Sequence, residues 1–237
     1  MARQDKVAGV IGGMGPEATV DFMSRVIDAT PASVDQDHIR MVIESNPHIP
    51  SRQQAMRGEG VDPGAEIAAA AKRLEAAGAA FIVMPCNLAH AWQNDIERAV
   101  SIPFVSIVDE SVLAALDRSN AASAVGLLTT PGCFAAGLYQ QALADAGRPI
   151  VAQTPDELSA TMQLVRRIKG GDKSPDVVAG LRALAGNLID RGANVVIAAC
   201  TELPLVLDDS MFEVAFVSST DVLALKTVSL ALGNSEI

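Results

Sequence analysis

The sequence repeats itself across its two halves, and this repeat constrains the fold more than any single motif does. In the first pair of matched segments, "GVIGGMGPEATVDF" and "GLLTTPGCFAAGLY" share a glycine, an apolar pair, a turn, a second glycine and a helix-like stretch. The three pairs are Gly9–Phe22 with Gly126–Tyr139, Leu74–Asn87 with Leu188–Thr201, and Pro103–Asp109 with Ala215–Asp221. The partners lie 117, 114 and 112 residues apart. Three matches in one order, with nearly constant offsets, indicate two related halves.

Strand-like and helix-like segments alternate along the chain, which predicts mainly parallel sheets with helices on both faces. The strand-like segments are Val7–Ile11, Ala80–Met84, Ile102–Val108, Ala124–Leu128, Val195–Ala199 and Phe212–Ser218, and the helix-like ones are Glu17–Asp28, Gly64–Ala77, Phe134–Ala146 and Pro175–Arg191. With the repeat, this pattern predicts an α/β protein of two pseudo-twofold related domains, each a small, mainly parallel sheet flanked by helices. A chain of 237 residues can hold two such domains. We expect residues 1–103 plus 216–237 in the first and 104–215 in the second.

Charge and cysteine content narrow the classes of partner. The net charge of −10, with no cluster of Lys and Arg, argues against nucleic acid and against an anionic membrane surface. No stretch approaches the ~20 apolar residues of a membrane span. Met1–Pro16 lacks a small-residue cleavage pattern and is interpreted as containing a first strand, not a signal peptide. Three widely spaced cysteines predict no disulfide framework, so we expect a reducing, cytoplasmic location.

Two of the cysteines occupy equivalent places in the repeat. Cys86 and Cys200 each follow an apolar strand, and ligands of open α/β sheets bind at the carboxyl ends of strands. If the halves face each other, the two thiols lie across an interdomain cleft, which is the predicted active site. One thiolate could then remove a proton from a carbon while the opposite thiol supplies one. Asn87 and Thr201, which follow the cysteines, are well placed to help backbone amides hold a substrate carboxylate.

Four motifs carry a resemblance to a known family. "GVIGGMGPEAT", "NPHIPSR", "MPCNLAH" and "AACTELP" resemble, in this order and over nearly the whole chain, the aspartate/glutamate racemase family. That family consists of cofactor-independent amino-acid racemases with two domains and two cysteines. The resemblance implies an isomerase without pyridoxal phosphate or metal, a small-molecule partner that is an amino acid or a dicarboxylate, and a homodimer.

The resemblance also implies roles for individual residues. It places the catalytic pair on Cys86 and Cys200, and the substrate-binding positions on Arg52, Asn87, Thr129, Thr130, Lys169 and Thr201. Among these, Asn87 and Thr201 are implied to bind the α-carboxylate or amino group. Arg52 is implied to bind the side-chain carboxylate, and Lys169 occupies the place of a second cation in aspartate-specific members.

Departures from the family pattern concern the substrate more than the chemistry. Leu88 replaces a common threonine after the first cysteine, and His48 stands where glutamine is frequent. With Met14 of the Gly-Gly-Met-Gly-Pro turn, these positions are candidates for specificity. Pro131 and Cys133 lie in a turn that usually carries neither. We expect a racemase of aspartate and/or glutamate. The alternatives are an isomerase or decarboxylase of a non-amino dicarboxylate and a binding protein without turnover.

The remaining signals favour structural roles. Gly13-x-Gly15-x-x-Ala18 satisfies a dinucleotide fingerprint, with Asp35 or Asp37 as the ribose ligand, but Glu17 would occupy the place of the pyrophosphate. A structural turn is therefore the preferred interpretation.

For three other groups of residues the sequence predicts no catalytic or metal-binding role. His90 lies four residues after Cys86, a spacing that could serve a metal, yet a capping or orienting role is favoured and no metal is predicted. Cys133 is interpreted as a bystander, because the first half has no matching cysteine. Glu202, Asp109 and Asp221 are expected to cap helices or orient the cleft.

Overall fold

The computed structural model describes residues 6–120 and 122–235. The chain divides into two compact units, one formed by Met1–Ile107 with Leu223–Ile237 and the other by Val108–Val222. Of the N-terminal stretch interpreted above, residues 1–5 lie outside the described part. No helix in the described part is long and apolar enough to cross a membrane.

Each unit contains four strands and several helices. In the first unit the elements are β1 (Ala8–Gly12), α1 (Pro16–Ala29), β2 (Met41–Ser45), α2 (Arg52–Ala55), α3 (Gly64–Ala76), β3 (Phe81–Val83), α4 (Gln93–Ala99) and β4 (Phe104–Val105). In the second they are β5 (Ala124–Thr129), α6 (Pro131–Ala135), α7 (Leu138–Asp145), β6 (Ile150–Ala152), α8 (Pro155–Lys169), α9 (Pro175–Asp190), β7 (Ala193–Ala199) and β8 (Ala215–Ser218). Helices α5 (Ile107–Asp117) and α10 (Ser219–Ala231) carry the chain from one unit to the other.

The two sheets have the same strand order. It is β2-β1-β3-β4 in the first unit and β6-β5-β7-β8 in the second, and every pairing is parallel. The matched segments of the repeat therefore occupy matched strands: β1 with β5, β3 with β7 and β4 with β8. The predicted fold class, two mainly parallel sheets flanked by helices, is confirmed.

In each half of the repeat, a strand passes so close to a neighbouring segment that one position can hold only glycine. A Cβ added at Gly9 would lie 2.8 Å from Cβ of Ala79, and one added at Gly126 would lie 2.9 Å from Cβ of Ala193. Ala79 lies just before β3, and Ala193 is the first residue of β7. The repeat matches these two alanines with each other. Both units thus pack β1 or β5 against the neighbouring strand too closely for a side chain.

The segment predicted as a strand at Ile102–Val108 is mostly not a strand. Only Phe104–Val105 pairs in the sheet, and α5 begins at Ile107 with Asp109 and Glu110 in its first turn. Carboxylates stabilise the amino-terminal end of a helix, which favours a helix start here over a longer strand.

The helix predicted at Phe134–Ala146 is two helices, α6 and α7. Gly137 lies between them with φ of 71°, in the left-handed region that a continuing α-helix cannot contain.

The boundary between the units lies after β4 and after β8, not before them. Phe104 pairs with Ile82 of β3, and Phe216 pairs with Val196 of β7, so each edge strand belongs to the sheet that precedes it along the chain. The bounds expected from the sequence, 103 and 216, assigned these strands to the opposite units.

Helix α8, which the sequence did not delimit, brings a cation to the second sheet. Its start is fixed by a capping box in which the Thr154 hydroxyl accepts the Glu157 N–H at 3.2 Å and the Glu157 carboxylate accepts the Thr154 N–H at 2.8 Å. Leu158, Val165 and Ile168 are buried along one face, and the helix ends at Lys169.

Candidate active site

In the first unit, Cys86 lies in a tight turn just beyond β3. The Cys86 N–H donates to the Met84 carbonyl at 2.7 Å, and a 3-10 turn over Leu88–Trp92 follows directly. Cys86 is 7% exposed, and Asn87 and Leu88 are buried beside it. The thiol is therefore held at the carboxyl end of the sheet, where the sequence placed it.

His90 holds this turn in place as a neutral imidazole. Its Nδ1 lies 2.9 Å from the Cys86 carbonyl oxygen, and its Nε2 accepts the Ile107 N–H at 3.0 Å. Together these two bonds require that Nδ1 carries the proton. Burial lowers the pKa of His90 to about 4. The ring, which also packs against Phe104 at 5.2 Å, connects Cys86 to the residue that begins α5.

Arg52 is anchored by backbone carbonyls of the first unit. Nη1 donates to the carbonyls of Ile49 and Pro50 at 3.0 Å each, and Nη2 donates to the Met14 carbonyl at 3.3 Å. Its buried Nε has no hydrogen-bond partner among the described residues. Met14 is buried in the same apolar cluster as Cys86, whereas His48 is exposed. One side of the guanidinium is thus used to fix Arg52, while Nε–H remains a donor.

Gly13 makes the turn after β1 a structural one. Its φ is 89°, and a Cβ at this position would lie 2.4 Å from the Asn46 carbonyl carbon. The Gly13 N–H donates to the Thr19 hydroxyl at 2.9 Å. Asp37 accepts the N–H groups of Ser33 and Val34 in its own turn, at 2.9 and 3.2 Å. The Gly13 N–H and the Asp37 carboxylate are thus already bonded within the first unit.

In the second unit, Cys200 directly follows β7 and is bonded to a buried carboxylate. Its Sγ donates to Glu202 Oε2 at 3.0 Å, and the Lys169 ammonium forms an ion pair with Glu202 Oε1. Glu202 is 4% exposed. Burial, and then the negative charge of Glu202, raise the pKa of Cys200 well above its usual range, and the Lys169 charge opposes them. Cys200 is consequently a thiol at neutral pH.

Thr129 joins the two central strands of the second unit beside Cys200. Its N–H donates to Gln153 Oε1 at 2.8 Å, and its hydroxyl donates to the Ala199 carbonyl at 3.2 Å. Thr130, the N-cap residue of α6, and Thr201 are both buried next to these strand ends. The three threonines therefore lie at the carboxyl edge of the sheet, on the elements that position Cys200.

The third cysteine has a different setting. Cys133 is 2% exposed in α6 and lies near the fully buried Tyr139, whose hydroxyl is hydrogen-bonded to Ser111. None of the three cysteines forms a disulfide. Within residues 6–120 and 122–235, no group of three or more His, Cys, Asp or Glu side chains is arranged to hold a metal ion.

Comparison of the sequence with models of known protein families gives a match that includes almost all of these elements. The model of the family described as Asp/Glu/hydantoin racemase matches residues 11–227. The chain belongs to this racemase family. Racemases are isomerases, and the expectation of an isomerase is confirmed together with the resemblance on which it depended.

Individual racemases and a racemase homologue align with nearly the whole chain. A relative described as broad specificity amino-acid racemase RacX, from Bacillus subtilis, is 30% identical over an alignment of 236 residues that covers 94% of this chain and 97% of the relative. The solved aspartate racemase of Picrophilus torridus is 29% identical with a TM-score of 0.81, covering 95% of this chain and 94% of that one. An aspartate racemase homologue from Pyrococcus horikoshii is 26% identical with a TM-score of 0.75, covering 96% and 99%.

The structure gathers most of the residues predicted from the racemase resemblance into two half-sites. The first half-site consists of Met14, Arg52, Cys86, Asn87 and Leu88. The second half-site consists of Thr129, Thr130, Lys169, Cys200, Thr201 and Glu202. Each lies at the carboxyl edge of one sheet. His48 differs from the others, since it is exposed and its N–H is bonded to Asn46 Oδ1 at 2.9 Å.

Glu202 is the one residue of the second half-site to which the sequence assigned no role in binding or catalysis. Glu202 contacts both the Cys200 thiol and the Lys169 ammonium. Its signal was present in the motif "AACTELP", where a carboxylate stands two residues after the cysteine. The first motif, "MPCNLAH", has Leu88 at the matching position, and this difference between the halves is the signal by which the sequence could have indicated Glu202.

Proposed function

We propose that the protein is a cofactor-independent amino-acid racemase that acts on aspartate and/or glutamate through Cys86 and Cys200. The observation that carries this proposal is the equivalence of the two cysteines. Cys86 follows β3 and Cys200 follows β7, and these strands occupy the same place in two sheets of identical order. Two-base racemisation requires one acid/base group for each face of the α-carbon, and the repeat supplies two groups of one kind.

The proposed reaction needs no partner other than the amino acid. A thiolate takes the α-proton, so the Cα–H bond breaks and its electron pair stays on a carbanion conjugated with the α-carboxylate. The thiol on the opposite face gives its proton to the same carbon and becomes the thiolate. The sum of protons and electrons on enzyme and substrate is unchanged, and the configuration at Cα is inverted.

Substrate-binding roles follow from the donors of the two half-sites. Arg52 would offer its Nε–H to a side-chain carboxylate, since its Nη groups are bonded to backbone carbonyls. Asn87 and Thr201, next to the two cysteines, would hold the α-carboxylate or the amino group. Lys169 would provide a second positive charge. Donors that are already oriented stabilise the developing carbanion and its carboxylate.

A wider range of amino acids is the second candidate function. The Lys169 ammonium already has a carboxylate partner in Glu202, and Leu88 adds an apolar surface beside Cys86. Both features reduce the need for an acidic side chain in the substrate. The Bacillus subtilis relative, described as having broad specificity, supports this second candidate.

The assembly and location are also proposed. The resemblance to the racemases implies a homodimer, and three cysteines in the thiol form suit a reducing cytoplasm. Analytical ultracentrifugation of the purified chain tests the dimer, and a mass equal to one chain at micromolar concentration would contradict it.

Incubation with single enantiomers in deuterated water tests the function. A panel of L- and D-amino acids, with aspartate and glutamate first, is analysed by chiral separation and by mass spectrometry of Cα deuterium. We expect inversion accompanied by deuterium uptake. Absence of both across the panel would reject the racemase.

Two further samples separate the alternatives. Turnover of dicarboxylates that lack the amino group, without turnover of amino acids, would indicate the isomerase or decarboxylase. Thermal stabilisation by a ligand without any turnover would indicate a binding protein.

A further inference from the structure

Glu202 connects the second thiol to a cation, and the first half-site has no counterpart. Its two oxygens are used separately: Oε2 accepts the Cys200 thiol at 3.0 Å and Oε1 binds the Lys169 ammonium. We infer that Glu202 is a positioning residue that orients Cys200 and holds it in the thiol form, so that Cys200 is the proton donor of the resting enzyme. This inference rests on the proposed function, since it names the resting state of the same reaction.

The ion pair with Lys169 offsets part of the cost of burying the Glu202 carboxylate, whose side chain is 6% exposed. With Lys169 on Oε1, Oε2 remains the acceptor for the Cys200 thiol. An acceptor that carries negative charge favours S–H over S⁻ on Cys200, because a thiolate would lose the hydrogen bond and face a like charge.

The first half-site has no residue equivalent to Glu202. Leu88 lies at the position that matches Glu202 in the repeat, and it is buried and apolar. The ring next to Cys86 is the neutral His90, which is bonded to the Cys86 carbonyl and not to its sulfur. The carboxylate bonded to Cys200 has an apolar residue at the matching position beside Cys86, which makes the halves chemically unequal although their strands are equivalent.

Other titratable groups also face Cys200. Tyr139 is fully buried on α7, close to Cys200, Cys133 and Asp109 of α5. Burial above all raises the pKa of Tyr139 well above its usual range, so the phenol is neutral at neutral pH. Glu202 and Lys169 are therefore the charged groups that act directly on the Cys200 thiol.

The test measures the thiol without using substrate. Cys200 is alkylated with iodoacetamide across neutral and alkaline pH, and its peptide is quantified by mass spectrometry. The reacting species is the thiolate, so the rate reports its fraction. Glu202→Gln keeps the shape and an acceptor oxygen but removes the negative charge. We expect alkylation roughly three- to tenfold faster than in the wild type at one neutral pH.

Lys169→Met provides a change of opposite sign. Loss of the ammonium leaves Glu202 without its counter-charge, and we expect slower alkylation of Cys200 by a similar factor. A role in packing alone would not move the two rates in opposite directions. Glu213→Gln, the same substitution at an exposed position of the second unit, is the matched control and should leave the rate unchanged.

Three outcomes would overturn the inference: unchanged rates in both variants, changes in the same direction, or an equal effect of Glu213→Gln. If Glu202→Gln does not fold, Lys169→Met decides alone, since Lys169 is 38% exposed and a slower rate is specific to the charge. Racemisation is measured separately on the same samples. The proposed function can therefore fail while the alkylation result stands, and the reverse is equally visible.

Discussion

The two half-sites share a scaffold and differ in chemistry. Cys86 and Cys200 follow equivalent strands, yet Cys86 is followed by Asn87 and Leu88, whereas Cys200 is followed by Thr201 and Glu202. The first half-site fixes its turn with a neutral histidine, and the second bonds its thiol to a carboxylate. The repeat thus determines where each thiol lies, while the residues that follow each cysteine determine which groups surround it.

Removal of either thiol should have the largest effect. We expect Cys86→Ala and Cys200→Ala each to lower kcat by roughly 10³-fold or more, because either change leaves one face of the α-carbon without an acid/base group. Chiral separation of the products measures this loss.

Cys133→Ala is the matched control for the two thiols. Cys133 lies outside both half-sites, so this variant should retain activity. Near wild-type turnover in either Cys86→Ala or Cys200→Ala would break the equivalence of the half-sites.

The buried His90 should make the stability of the first unit sensitive to acid between pH 6.5 and 4. Its pKa of about 4 in the folded state lies below the usual 6.5, so between these values the unfolded chain binds the proton more readily. The free energy of unfolding of the first unit should therefore decrease as the pH falls from about 6.5 to about 4, by up to about 3 kcal/mol. Urea unfolding at several pH values measures it.

Two variants isolate the His90 contribution. His90→Gln retains an acceptor for the Ile107 N–H but cannot titrate, so the difference from the wild type should vanish at low pH. Ser219, which begins α10, makes a side-chain bond to a strand in the second unit and cannot titrate: its hydroxyl donates to the Ala198 carbonyl of β7 at 2.8 Å. Ser219→Ala should lower stability equally at every pH. An unchanged pH slope in His90→Gln would contradict the assignment.

The paired glycines test whether the two sheets are packed alike. Gly9→Ala and Gly126→Ala should each destabilise their own unit by about 1–3 kcal/mol, because the new methyl group would lie within 3 Å of a neighbouring Cβ. Denaturant midpoints measure both. Gly186→Ala, inside α9 with open space around it, should instead be neutral or stabilising by up to ~1 kcal/mol. Markedly unequal effects of the first two would show that the packing is not equivalent.

Arg52→Lys should have the smallest effect on stability. An ammonium cannot reproduce the bonds to three carbonyls, and we expect a loss of about 1 kcal/mol, or a Tm lower by about 2–4 °C. If Arg52 also binds the substrate carboxylate, KM for aspartate should increase more than kcat decreases. Arg57→Lys, in an exposed pair with Glu59, serves as the control and should change neither. A lower Tm with unchanged KM would leave Arg52 a purely structural residue.

Much of the fold was predictable because its signals are local or repeated. The apolar strands, the glycines after helices and the three matched segments lie within short windows of sequence, and they predicted the parallel sheets correctly. The same regularity placed Cys86 and Cys200 at strand ends. Predictions failed where a local pattern was overridden, as at Ile107, which is apolar but begins a helix, and at Gly137, which interrupts one.

The contacts of the half-sites were less predictable because they join residues distant in sequence. Lys169 and Glu202 are 33 positions apart, and Arg52 and the Met14 carbonyl are 38 apart. No periodicity connects such pairs.

The sequence by itself determined the family, the repeated α/β architecture and the position of one thiol in each half, because these depend on strand order and on motifs next to the strands. Only the tertiary structure decided that His90 is neutral and bonded to backbone, that Arg52 is held by carbonyls, and that Glu202 lies between Cys200 and Lys169. The physical reason is that a hydrogen bond and a pKa depend on burial and on neighbours in space. Those neighbours come together only when the strands and helices pack.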